Sequence, residues 1–109
     1  MSLNKWLLPN EDIKYSSHDD IEFAGEKLRI HVTNERIILY SNKGFIFKKE
    51  TVVAERLSDV ETMAYHESGI LMLKKGVLQV QTRDRVMDFK GKPDAIKTLW
   101  QVLQKYIRR

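Results

Sequence analysis

From residue 11 to residue 90 the chain holds no stretch with helical spacing, only short apolar–polar alternations broken by turn residues. That property decides the sheet. A parallel pair needs a crossover of a dozen or more residues, and none is available here, so the strands must pair antiparallel. Ile13 and Tyr15 alternate with Lys14 and Ser16, and Ile21 and Phe23 resume the pattern beyond His18-Asp19-Asp20. The polar interruption reads as a bulge in one long bent strand. Leu28, Ile30 and Val32 alternate with Arg29, His31 and Thr33, which predicts a half-buried strand with His31 exposed. Further strands are expected at 37–40, 45–49, 51–57, 60–66, 70–73, 77–82 and 86–89. Between them fall turns such as Ala24-Gly25-Glu26-Lys27, Ser41-Asn42-Lys43-Gly44 and Lys74-Lys75-Gly76, the last read as a tight hairpin. In the turn Thr33-Asn34-Glu35-Arg36, Asn34 suits a left-handed conformation.

After Gly91 the spacing changes. Ile96, Leu99, Trp100, Leu103 and Ile107 recur on one helical stripe, while Lys97, Thr98, Gln101, Gln104 and Lys105 occupy the other face. Pro93 suits the first turn of a helix at about 93–107, and Asp94 favours the positive end of its dipole. The stripe must be buried, and the sheet is its only partner. Seven or eight short strands and one apolar helix predict two near-orthogonal sheets, or a partly closed barrel with the helix plugging an open end. Trp6, Leu7 and Leu8, stopped by Pro9-Asn10, are expected to lie across a sheet edge or the open barrel end.

The 109 residues read as a single domain over 1–109, with the strands inside 11–90. With no cysteine, a disulfide framework, a thiolate zinc site and a cysteine nucleophile are all excluded, which fits a reducing cytoplasm. No apolar run matches a bilayer span or a signal peptide, so a soluble cytoplasmic protein is expected.

Four places then carry a likeness to a family. Leu8-Pro9-Asn10-Glu11-Asp12 resembles the L-P-x-E opening of prokaryotic pleckstrin-homology-like (PH-like) domains, related in fold to PH and GRAM domains. Thr33-Asn34-Glu35-Arg36-Ile37-Ile38 is similar to their T-N-x-R motif with two apolar residues after it, and Leu57-Ser58-Asp59-Val60 to their L-x-D-I/V corner. Phe89-x-Gly91 before one amphipathic helix resembles their ending. The resemblance implies a mainly β, PH-like, partly open antiparallel barrel of about seven strands capped by a C-terminal amphipathic helix. It also implies a scaffold that hosts lipid binding, peptide binding, docking or self-assembly, so the task must be read from a site. The family's lipid-binding branch gathers Lys and Arg around its first two strands. Here Asp19, Asp20, Glu22 and Glu26 stand there with Lys27 and Arg29, an acidic hairpin expected to repel an inositol phosphate.

No nucleophile–base pair, Gly-rich phosphate loop or histidine pair at metal-ligand spacing is present, so neither catalytic residues nor cofactor nor metal are expected. In His18-Asp19-Asp20-x-Glu22, strand geometry turns Asp19 away from Asp20 and Glu22. The distinctive surface candidate is Lys43, Phe45, Phe47, Lys48 and Lys49. With Ile46 in the core, its two phenylalanines would face a membrane interface or a base. The opposite register, which buries Phe45 and Phe47, is preferred because large exposed aromatics are rare. Arg83 and Arg85, with Lys90, Lys92, Lys74 and Lys75, form a second basic cluster diluted by Asp84 and Asp88. No continuous basic stripe argues for nucleic acid. The reading is a non-enzymatic binding or assembly module that meets a protein, or its own copies, at a strand edge or a strand–helix groove. The competing reading is peripheral attachment to an anionic membrane through the 43–49 stretch.

Overall fold

A computed structural model describes residues 3–43, 49–70 and 73–107. Eight strands run β1 (Ile13–Ser16), β2 (Ile21–Phe23), β3 (Glu26–Thr33), β4 (Arg36–Lys43), β5 (Lys49–Arg56), β6 (Val60–Ser68), β7 (Lys75–Thr82) and β8 (Val86–Gly91). One helix, α1 (Pro93–Tyr106), closes the chain. The strands form an open antiparallel sheet in the order β5-β4-β3-β2-β8-β7-β6, with β1 also on β3. Both the mainly β class and the terminal helix agree with expectation, and the eight strands fall within the seven or eight expected.

Residues 11–23, expected as one long bent strand, hold two strands, β1 and β2. Both pair with β3, β1 against its second half (Ser16 opposite His31) and β2 against its first (Ile21 opposite Leu28). At the break Ser17 substitutes for a ladder residue. Its N–H donates to Ile30 O at 2.9 Å and its Oγ accepts from Ile30 N at 3.1 Å. β2 then turns into β3 through Ala24 and Gly25, both at positive φ (52° and 82°), the tight hairpin geometry that matches strand twist. His31 is half-buried, contrary to expectation, because its Nδ1 lies 2.7 Å from Ser16 Oγ on β1. Burial, then the charge of Arg29, lowers its pKa.

The core gathers the inward residues of the strands, among them Ile21, Leu28, Ile30, Val32, Ile37, Leu39, Leu78, Val80, Met87 and Phe89, under Ile96, Leu99 and Leu103 of α1. Trp100 and Ile107 stand at the margin, half-buried, so the buried stripe is narrower than its sequence pattern. Gly76 opposes Gly91 in the β7–β8 ladder, and a Cβ on Gly76 would lie 3.0 Å from Pro93 Cα and 3.1 Å from Ile96 Cβ. The missing side chain lets the helix start sit on the sheet. Lys74-Lys75-Gly76 is therefore no hairpin turn. β6 ends at Ser68 and β7 begins at Lys75; of the expected strand at 70–73, Ile70 and Leu73 lie in no strand, with Leu73 N donating to Ile70 O at 3.0 Å, and Leu71 and Met72 lie outside the described residues. Gly76→Ala is expected to cost about 1–3 kcal/mol through overpacking, read from the denaturant midpoint.

Ile38 is fully buried yet faces away from that core. The lead-in covers its side of the sheet: a 3₁₀ turn at Leu3–Trp6 lies over β4 and β5, with Arg36 Nη2 donating to Trp6 O at 2.8 Å and Trp6 Nε1 donating to Glu50 Oε2 at 3.2 Å.

Candidate binding surfaces

The strongest polar constellation is a buried knot. The Glu11 side chain is 0% exposed, and Arg36 grips it with both Nε (2.9 Å) and Nη2 (2.8 Å). Leu8 N donates to the same carboxylate at 2.7 Å and Thr33 Oγ1 at 2.6 Å. The Arg36 hydrogen bonds, with those of Leu8 and Thr33, outweigh burial and hold the Glu11 pKa down at about 2. Asn34 accepts from Asp12 N at 2.8 Å and donates to Asn10 O at 3.2 Å. The left-handed asparagine is Asn10 (φ 66°), not Asn34. The first two motifs are thus halves of one lock that fastens the chain start to the β3–β4 turn. Among the described residues no buried side-chain nitrogen or oxygen, here or elsewhere, lacks a hydrogen-bond partner, so the knot reads first as a structural lock.

The same turn chemistry recurs at Thr82-Arg83-Asp84-Arg85. The Thr82 hydroxyl accepts from Arg85 N at 3.1 Å, and Arg85 Nε donates to Glu55 Oε1 at 2.9 Å. Arg85 therefore ties the β7–β8 turn to β5. Arg83 is exposed, and its N–H donates to Asp59 O at 3.0 Å. Neither joins Lys90, at the far end of β8, or Lys92, just before α1, so the second basic cluster is split. Of the first cluster, Phe45, Phe47 and Lys48 lie outside the described residues. Lys43 pairs with Lys49 in the β4–β5 ladder, and Lys49 Nζ sits 3.4 Å from Glu26 Oε1.

What the sheet does bring together is a cleft of ≈ 490 Å³ beside Leu73, where Lys27, Lys74, Lys75, Lys90 and Lys92 meet Asp19, Asp20 and Glu22. The acidic hairpin is not bare. Asp20 pairs with Arg29 (3.3 Å), Glu22 with Lys75 (3.8 Å) and Glu26 with Lys49 (3.4 Å), all at the surface. Among the described residues no group of His, Asp and Glu could hold a metal ion.

A second surface lies along β6, an edge strand paired only with β7 and flanked by α1. The Tyr65 ring stacks on Trp100 (5.9 Å between centroids, 10° between planes), and Lys97 Nζ lies 3.2 Å from Glu67 Oε2. Burial, then the hydrogen bond to Glu67, pushes the Tyr65 pKa up to about 12, so its hydroxyl stays a donor.

A family model described as "Bacterial PH domain" matches residues 7–105. Among solved structures, a pleckstrin homology domain from Shewanella amazonensis SB2B superposes with a TM-score of 0.72 at 14% identity, covering 96% of this chain and 91% of that one. The Vps36 N-terminal PH domain superposes with a TM-score of 0.65 at 13% identity, covering 93% and 82%. At these identities the likeness is one of fold. No curated protein matches the chain.

Proposed function

The chain belongs to the bacterial PH-domain family, and from that premise we propose a non-enzymatic docking module for an extended protein segment. The segment, from a partner or from a second copy, would lie along the open edge of β6 beside α1. PH-like domains are in general binding modules without catalysis. The observation that carries the reading is β6 itself, nine residues long and laddered on one side among the described residues. Such an edge offers main-chain donors and acceptors to another strand, and alternate side chains beside it set the specificity. Met63, Tyr65 and Trp100 supply a half-buried apolar floor, while Lys97 and Glu67 polarise one end. If the ligand is a second copy, the assembly closes as a discrete symmetric oligomer, since closure satisfies every identical interface.

The test combines sedimentation velocity with amide hydrogen exchange, on the chain alone and with peptides selected from a random library. The expected result is slowed exchange across residues 60–68, with a change in tryptophan fluorescence from the Tyr65–Trp100 stack. A strict monomer that selects no peptide, or protection confined to other strands, would remove the proposal.

A further inference from the structure

Across the β4–β5 ladder Arg36 stands directly opposite Arg56. Residues opposed in an antiparallel pair share a face, and Ile37 and Leu39 enter the core, so both arginines leave the sheet on its outer side. Like charges placed this way repel unless something neutralises them. Glu11 does so for Arg36, whose Nε and Nη2 are engaged by its carboxylate and by the Trp6 carbonyl. The Nη1 of Arg36 makes no hydrogen bond among the described residues, and no unpartnered side-chain nitrogen there is buried, so Nη1 reaches solvent. Arg56 has neither an ion pair nor a side-chain hydrogen bond among the described residues. Both arginines line one cavity of ≈ 480 Å³ with Leu8, Glu35 and Ala54. Leu8 is 50% exposed, an apolar lip beside the two guanidinium groups.

We infer that this cavity binds a carboxylate carrying an apolar group, as a small free acid or as the end of a peptide chain. Arg56 is the main donor, Nη1 of Arg36 the second, and Leu8 and Ala54 meet the apolar part. No residue of β6 or α1 lines the cavity, so the site goes beyond the docking of a segment on β6. The charge count selects the ligand. Glu11 cancels Arg36, no lysine lines the cavity, and Glu35 is the one carboxylate among its lining residues. A single negative charge on the ligand therefore finds one open cation in Arg56, whereas a phosphate dianion would carry one charge too many. Planar guanidinium forks also match the two oxygens of a carboxylate. Glu35 stands as the built-in rival of the incoming group.

The test is an NMR titration of the full chain with N-acetyl-leucine, N-acetyl-leucinamide, inorganic phosphate, and a peptide ending in leucine as free acid or amide. N-acetyl-leucine is expected to shift the Leu8 and Ala54 amide signals and the Arg56 Nε–H signal. The amide should bind about tenfold more weakly or less, because the charged hydrogen bonds are gone. Arg56→Gln should weaken binding of the acid by about tenfold and Leu8→Ser by about fivefold, while Glu35→Gln should strengthen it about threefold. All three variants change exposed side chains, so their thermal midpoints should stay near the parent's value, which separates lost binding from lost folding. Tighter binding of the peptide acid than of N-acetyl-leucine would support chain ends as the source, and equal binding would support free acids. No shift at these residues, equal binding of acid and amide, or full affinity in Arg56→Gln would overturn the inference. So would inorganic phosphate that competes on equal terms, since the cavity would then take anions without regard to the apolar group.

Discussion

Arg36→Met is expected to remove about 3–5 kcal/mol of stability, because it strands a buried carboxylate without its counter-charge. Glu11 has no exposed side-chain surface, and its remaining donors, Leu8 N and the Thr33 hydroxyl, are neutral. Losing Arg36 also frees the Trp6 carbonyl, so the lead-in over β4 and β5 should loosen and the Trp6 emission should change. The double variant Glu11→Leu with Arg36→Met should lose less than the sum of the single changes, since no unpaired charge remains. Additive losses in denaturant titrations would mean the two residues do not act as one unit.

The same knot sets an acid limit. The Glu11 pKa is depressed from an ordinary 4.5 to about 2, so the folded state binds its proton less readily than the unfolded chain. A depressed carboxyl contributes its stability above the unfolded value and loses it as pH falls towards the folded one. About 3 kcal/mol should therefore disappear between roughly pH 5 and pH 2. In Arg36→Met the drop over this window should shrink sharply, because the group that depresses the pKa is gone.

These residues show what a sequence can and cannot disclose. Glu11 and Arg36 were visible as members of two motifs, but not as partners, since 25 positions separate them and only the β3–β4 turn brings them together. Arg85 reads from the sequence as a member of a basic cluster for the same reason, its carboxylate lying 30 positions back on β5. The helix and most strands were legible because burial imposes periods of 3.6 and 2. Lys74-Lys75-Gly76 misled because glycine marks a turn and a close backbone approach equally well, and only the packing of Pro93 and Ile96 decides between them. Of the lysine cleft, Lys74, Lys75, Lys90 and Lys92 were legible as a group, but not their meeting with Lys27, Asp19, Asp20 and Glu22. Its members come from separate elements, and the pairs Glu22–Lys90 and Gly76–Gly91 are choices of register that alternation alone leaves open.

Phe89→Ala should cost about 3–5 kcal/mol and exceed the loss from Trp100→Ala, reversing the order the helix stripe by itself would give. Phe89 is fully buried, opposes Leu78 across the β7–β8 ladder, and sets its ring 5.6 Å from that of Phe23. It lies beneath α1, between strands held in register, so its removal leaves a cavity that the sheet cannot close by collapse. Trp100 is half-buried and meets Tyr65 on the flank of the helix, where water and side-chain motion can fill the space left by truncation. Gln101→Ala, on the solvent face, should change stability by less than about 0.5 kcal/mol and calibrate the pair. Denaturant midpoints of the three variants decide the matter. A larger loss at Trp100 than at Phe89 would make the helix flank, rather than the strand beneath it, the point on which the fold depends. The β6 groove would then be part of the core and unable to open to a ligand.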